Sequence, residues 1–221
     1  MAWGMKNYTI QLFGSSIMEG RIGAEHAADR WYELMRGSLC ELFPATCFAV
    51  YNGAVGGEST RELLAHFDRD LAGHTPDLCI AMFGWNNCRM NKPPESRVSF
   101  AELEELMKTF LPHLPEKIRC VGVINQPMID AWHSTGKDPA YAEIRARYGG
   151  NNAYHDRERE AGRRFFRAHG FPFLDLSQVM AEKPEQYILP DGIHLNPLGH
   201  RVFASEMVKI LEPILRADGC R

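Results

Sequence analysis

Tyr8-Thr9-Ile10-Gln11-Leu12-Phe13, followed by Gly14-Ser15-Ser16-Ile17-Met18-Glu19-Gly20, sets the pattern by which the rest of the chain is read. A short β-rich apolar run enters a turn of small residues, and helix-compatible sequence follows. Four more apolar runs occur at 47–51, 78–83, 119–124 and 171–176. Most are nearly continuous rather than alternating, as expected of parallel strands covered on both faces. Helix-like segments separate them at 24–43, 59–72, 99–111 and 152–169, with a last one at about 197–215. Ser59 with Glu62, and Ser99 with Glu102, have capping-box spacing. Asn196 before Pro197 reads as the N-cap and first turn of the final helix. This alternation predicts an α/β fold: a three-layer, doubly wound, five-stranded parallel sheet. No internal repeat or linker divides the chain, so residues 1–221 are expected to form one domain, with a loop insertion at 125–151. An insertion of that length is either a substrate-facing loop or a surface excursion.

Bulk properties narrow the partners. Of 221 residues, 45% are hydrophobic and 24% charged, ordinary for a globular protein, and the formal net charge is −3. That balance gives no pull toward nucleic acid or anionic membranes, so neither is expected as a partner. Residues 1–7 lack the charged and apolar pattern of a signal peptide, and no apolar run is long enough to span a bilayer. The six cysteines form no C-x-x-C, and Cys47, Cys79 and Cys120 sit inside apolar runs, which fits a reducing cytoplasm.

In a doubly wound sheet, ligands bind beyond the carboxyl ends of the strands, so chemistry is sought just after each apolar run. After the first run, a serine on a strand-to-helix turn is exposed, with its own N–H facing the place where an oxyanion forms. After the second comes Asn52-Gly53-Ala54-Val55-Gly56-Gly57-Glu58-Ser59-Thr60, neither a G-x-G-x-x-G nor a P-loop. After the third comes Gly84-Trp85-Asn86-Asn87, where an Asn carboxamide can donate to an oxyanion without carrying charge. Each of these, taken alone, is also compatible with a plain turn. Late in the chain, Asp191-Gly192-Ile193-His194 places a carboxylate three residues before an imidazole. A carboxylate on Nδ1 fixes the tautomer and stabilises the imidazolium, leaving Nε2 to take a proton from a nucleophile.

Taken in chain order, these pieces resemble the SGNH (GDSL) hydrolases, named for a Ser, Gly, Asn and His in four blocks. Gly14-Ser15-Ser16 with Gly20 is similar to G-D-S-x-x-x-G, 52–57 to the second block, 84–87 to G-x-N-D and 191–194 to D-x-x-H. The resemblance runs from about Tyr8 to the last helix. It implies the SGNH hydrolase fold and a lipase/esterase-type acylhydrolase acting on a small-molecule acyl ester through an acyl-serine. The expected catalytic residues are Ser16, Asp191 and His194. The expected oxyanion donors are the N–H groups of Ser16 and Gly57 and the Asn86 side chain. No metal or other cofactor is expected. Ser15 and Asn87 stand where the family has acidic residues, and alignment with Gly20 favours Ser16 over Ser15 as nucleophile. Trp85 and Met18 are candidate substrate contacts, with Trp132 and Tyr154 as further ones. The resemblance implies carboxylic ester hydrolysis, with a short-chain or carbohydrate ester expected, and it also covers lysophospholipid and thioester cleavage.

Three rivals predict differently. A flavodoxin-like binding module shares the architecture but gives Asp191 and His194 no reason to pair. A metal hydrolase would use Asp191, His194 and His200, which straddle a helix start. A catalytically inactive relative would bind ligand at the same place. His26, His66, His74, His113, His133, His155 and His169 read as surface or helix-face residues.

Overall fold

The computed structural model describes residues 5–72, 76–88, 97–114 and 117–221. His74 and the first four residues lie outside that set. Five strands, β1 (Lys6–Phe13), β2 (Thr46–Asn52), β3 (Leu78–Met82), β4 (Arg119–Ile124) and β5 (Phe173–Asp175), form one sheet in the order β2-β1-β3-β4-β5. Every pairing is parallel. This is the fold class expected from the sequence.

Side chains alternate across the sheet, as the two-residue strand period demands. Tyr8, Ile10, Leu12 and Ile80 face a layer formed by α2 (Trp31–Leu42) and α9 (Pro197–Ala217). Trp31 of α2 stacks on Phe203 of α9 there, with ring centroids 4.0 Å apart. Phe13, Cys79, Ala81 and Cys120 face the other layer, formed by α3 (Thr60–Ala72), α4 (Phe100–Phe110) and α7 (Asn151–Ala168). Both layers bury large aromatic side chains, so the inner strands β3 and β4, buried along nearly their whole length, are apolar on both sides.

Local signals set the helix starts. Ser59 N–H donates to Glu62 Oε2 at 2.8 Å, Glu102 N–H to Ser99 Oγ at 3.1 Å, and Gly199 N–H to Asn196 Oδ1 at 3.0 Å. Each satisfies a backbone donor left without a helical partner. The first predicted helix is shorter than expected: residues 27–29 form a separate 3-10 turn before Trp31. Cys47 is exposed, against the expectation, because β2 is the sheet edge and every second residue there meets solvent. Residues 125–151 are not a bare loop. They carry α5 (Ser134–Lys137) and α6 (Ala142–Tyr148). The Asp130 carboxylate accepts the N–H groups of Asn151 and Asn152 at 3.0 and 2.9 Å, capping α7 from within the insertion. Among the described residues no helix is long and apolar enough to cross a membrane.

Gly122, in β4, lies directly beneath the fully buried ring of Phe166. A Cβ there would meet ring carbons at 2.5 Å, and the ring has no space to retreat into. Gly122→Ala is expected to destabilise the fold by about 1–3 kcal/mol, read as a lower midpoint in urea unfolding with an unchanged slope.

Candidate active site

The site is built at the carboxyl ends of β1, β2 and β3. Backbone pairing continues past the strands: Gly53 N–H donates to Leu12 O at 3.2 Å and Val55 N–H to Gly14 O at 3.0 Å. The second turn therefore runs beside the first. Asn52 locks them together, its Nδ2 donating to Met18 O and Glu19 O at 3.3 and 3.2 Å. Helix α1 (Ser16–Glu19) begins directly at the serine and ends at Gly20, whose φ of +69° is the left-handed cap that glycine favours. Gly57, in the second turn, has φ +84°, and its carbonyl accepts from Arg97 Nη1 at 3.0 Å. Asn86, after β3, donates through Nδ2 to Glu58 O at 3.0 Å, which ties the third turn to the second.

The fourth block arrives from beyond β5. Ser16 Oγ lies 3.0 Å from His194 Nε2, and His194 Nδ1 lies 2.6 Å from Asp191 Oδ2. The hydroxyl facing the imidazole is Ser16. Ser15 is the N-cap of α1, and both serines are buried, against the expectation of an exposed serine, because the second turn at Gly56 and the His194 ring cover Ser16. Asp191 also organises its own loop, since Oδ1 accepts the N–H groups of Ile193 and His194 at 2.9 and 3.0 Å. Partial burial pushes the Asp191 carboxyl up, but those two N–H groups and the imidazole outweigh it and hold it below the ordinary carboxylate value. With the carboxylate on Nδ1, that nitrogen carries the proton and Nε2 is left to accept from Ser16.

The insertion braces this loop. Gln126 Nε2 donates to Ile193 O at 2.5 Å, and Ile129 N–H to Gly192 O at 2.9 Å. Gly192 has φ +82°, and a Cβ there would lie 2.7 Å from Ile129 O, so only glycine allows the two segments to touch. Sequence spacing gave the glycine of this block no such role.

Beside Asn86 and Ile193 opens a cavity of about 340 Å³. Trp85, Met128, His133, Ser134, Thr135, Tyr141, Asn151, Tyr154 and His155 complete its lining. Of the candidate substrate contacts, Trp85 and Tyr154 are in this wall. Met18 is not: it is fully buried in the core against Gly14, because α1 turns that face of its single turn inward. Trp132 is exposed and does not line the cavity. By sequence His133 and His155 read as surface or helix-face residues; His155 does lie on α7, yet both line the cavity and His155 is buried. Burial pushes the His133 imidazole below its ordinary value. His66 is not a bare helix-face residue either. It bridges Asp70 and Glu58 at 2.6 and 2.7 Å, and although burial opposes its charge, the two carboxylates raise it overall. His200 is structural. It is buried, accepts the Trp31 N–H on Nδ1 at 3.3 Å and donates from Nε2 to Ile22 O at 2.9 Å, so both ring nitrogens are engaged within the core. Among the described residues no cluster of His, Cys, Asp and Glu could hold a metal ion.

Asn87 replaces an acid of the family pattern. It is fully buried, its Oδ1 accepts the Thr60 N–H at 3.0 Å and its Nδ2 donates to Thr60 Oγ1 at 3.2 Å. It splices the turn after β3 to the start of α3.

The fold and the order of these blocks define an acylhydrolase scaffold of the GDSL type. The chain belongs to the GDSL-like lipase/acylhydrolase family, which it matches over residues 12–202. No curated protein matches it. Solved structures share its fold. The lipase/acylhydrolase from Enterococcus faecalis superposes with a TM-score of 0.74 at 18% identity, covering 94% of this chain and 96% of that one. An acetylxylan esterase from Geobacillus stearothermophilus gives 0.69 at 17% identity, over 94% and 96% of the two chains. A further acetyl xylan esterase gives 0.70 at 15% identity, over 91% and 98%.

The lowered Asp191 fixes the sign of an acid effect. A carboxyl held below its unfolded value adds stability that is present above about pH 4 and is lost as pH falls through the folded value. Asp191→Asn should therefore flatten the acid limb of a stability-against-pH curve measured by urea unfolding, relative to the parent chain. An identical acid limb in both proteins would contradict this.

Proposed function

We propose that the chain is a serine esterase that removes short acyl groups from hydroxyl-rich alcohols, working through an acyl-serine on Ser16. The observation that carries this reading is the chain of contacts from Ser16 Oγ to His194 Nε2 to Asp191, at 3.0 and 2.6 Å. A serine hydroxyl is a weak nucleophile until a base within hydrogen-bond reach takes its proton.

In the proposed reaction, Ser16 Oγ attacks the ester carbonyl carbon while its proton passes to His194 Nε2. Asp191 stabilises the imidazolium that results. The carbonyl oxygen becomes an oxyanion facing the N–H groups of Ser16 and Gly57 and the Asn86 carboxamide. Loss of one such donor typically costs about 3–4 kcal/mol of transition-state stabilisation. Collapse breaks the bond to the alcohol oxygen, which leaves with the proton from His194. Water then attacks the acyl-serine, giving its proton to His194, and Ser16 regains its own as the carboxylic acid departs.

The cavity supports the substrate class. At about 340 Å³ it lies at the small end for ligand sites, which suits a short acyl chain. His133, Ser134, Thr135, Tyr141 and Asn151 supply donors and acceptors for hydroxyls, while Trp85 and Tyr154 contribute aromatic edges to the wall. Acetyl xylan esterases among the fold relatives act in the same substrate class.

Two measurements test the reading. Ser16→Ala should abolish hydrolysis of an aryl acetate and covalent labelling by a fluorophosphonate, while Ser15→Ala keeps both; the reverse pattern overturns the assignment of the nucleophile. Along a series of aryl esters from acetate to octanoate, kcat/KM should fall, and acetylated xylo-oligosaccharides should be deacetylated. Rates rising toward octanoate would rule out the substrate class.

A further inference from the structure

Trp85 is the one non-glycine residue with positive φ among the described residues, at +69°. It follows Gly84, at +93°, and directly precedes Asn86. A bulky aromatic residue resists the left-handed region because its Cβ crowds the backbone, so surrounding contacts must hold it there. Those contacts come from one face of α7. The Trp85 N–H donates to Glu158 Oε2 at 3.3 Å, and His155 Nδ1 donates to that same oxygen at 2.7 Å. The His155 ring lies on the Trp85 indole, with centroids 4.4 Å apart and planes 22° from parallel. The Arg159 guanidinium sits 5.8 Å from the indole centre. Residues 155, 158 and 159 share a helix face by their spacing. Glu158 is 5% exposed. A carboxylate this deep is held by what it bonds, and here it bonds the turn and the ring that covers it.

We infer that Glu158 is a positioning residue for the reaction: its carboxylate holds the 84–86 turn in the left-handed conformation that aims the Asn86 carboxamide at the reaction centre. The inference rests on the reading of Asn86 as an oxyanion donor. Asn86 Nδ2 has two hydrogens, and the Glu58 carbonyl takes one. Where the second points is set by the backbone of Asn86, hence by the peptide that Trp85 carries. The Asn86 N–H, bonded to Gly84 O at 3.0 Å, closes the turn around Trp85. If Trp85 relaxed to an ordinary φ, this closure would break and the carboxamide would swing away.

The test is a set of variants assayed on an aryl acetate, with thermal unfolding as the check on folding. Glu158→Met keeps the volume and removes the acceptor; Glu158→Gln keeps an oxygen in its place. Expected for Glu158→Met is a kcat lowered about tenfold or more with KM within about twofold, since misplacement of a transition-state donor acts on kcat. Glu158→Gln should retain most of kcat. In an Asn86→Ala background, Glu158→Met should change kcat by less than about twofold, because its route of action is gone. Should the methionine variant not fold, Glu158→Asp withdraws the carboxylate while keeping its charge, and the same pattern is expected. An unchanged kcat, or an equal loss with and without Asn86, overturns the inference. If Ser16→Ala is inactive while Glu158→Met matches the parent, this inference alone fails. If Ser16→Ala is as active as the parent, the esterase reading fails and takes this inference with it.

Discussion

The parallel pairing of β1 with β2 on one side and β3 on the other is the constraint on which the site depends. All three strands end at the same edge of the sheet, so their following turns must lie side by side. The ladder does not stop where the strands stop, and the bonds from Gly53 and Val55 to the first turn carry the register into the site. Two asparagines finish the work. Asn52 stitches the second turn to α1, and Asn86 stitches the third turn to the second. Ser16, Gly57 and Asn86 are thereby held side by side by the backbone and by these two carboxamides.

The fourth block lies outside the five-stranded sheet, next to an antiparallel bridge between Ile188 and Leu195. Its geometry comes from within, through the Asp191 carboxylate on the N–H groups of Ile193 and His194, and from the insertion, through Gln126 and Ile129. The insertion also supplies one wall of the cavity through Met128, His133 and the residues of α5. One segment thus shapes the ligand space and braces the imidazole. A change in it is expected to act on both, which separates this segment from a surface loop that varies freely.

The two departures from the family's acidic pattern have different physical standing. At position 87 the neutral carboxamide is well suited to its place. Thr60 presents both an N–H and a hydroxyl, and a carboxamide answers the first with its oxygen and the second with its nitrogen. The tie between turn and helix persists without a buried charge, which would be costly there. At position 15 the serine begins α1 without a side-chain cap, and the helix is held instead by Gly20 and by Asn52.

Much of this was legible in the chain. Five apolar runs separated by helical segments imply a doubly wound sheet, because only a sheet covered on both faces requires strands without a polar side. Capping residues such as Ser99 and Asn196 announce helix starts through local hydrogen bonds that need no distant partner. The order of the four blocks marks which residues to bring together. Other features depend on residues far apart in sequence, and spacing cannot reach them. Met18 and Trp85 look alike as apolar neighbours of a reactive turn, but one faces the core and the other the cavity, since the helix hand and the packing of α7 decide which way each side chain points. His155 on a charged helix reads as a solvated residue until Trp85 covers it, and Glu158 gains meaning only when α7 lies across the turn after β3. The sequence alone determined the sheet, its turns and the chemical types at their ends. The tertiary structure alone decided which buried polar groups hold those turns in place, because that depends on helix-to-sheet packing between segments some 70 residues apart.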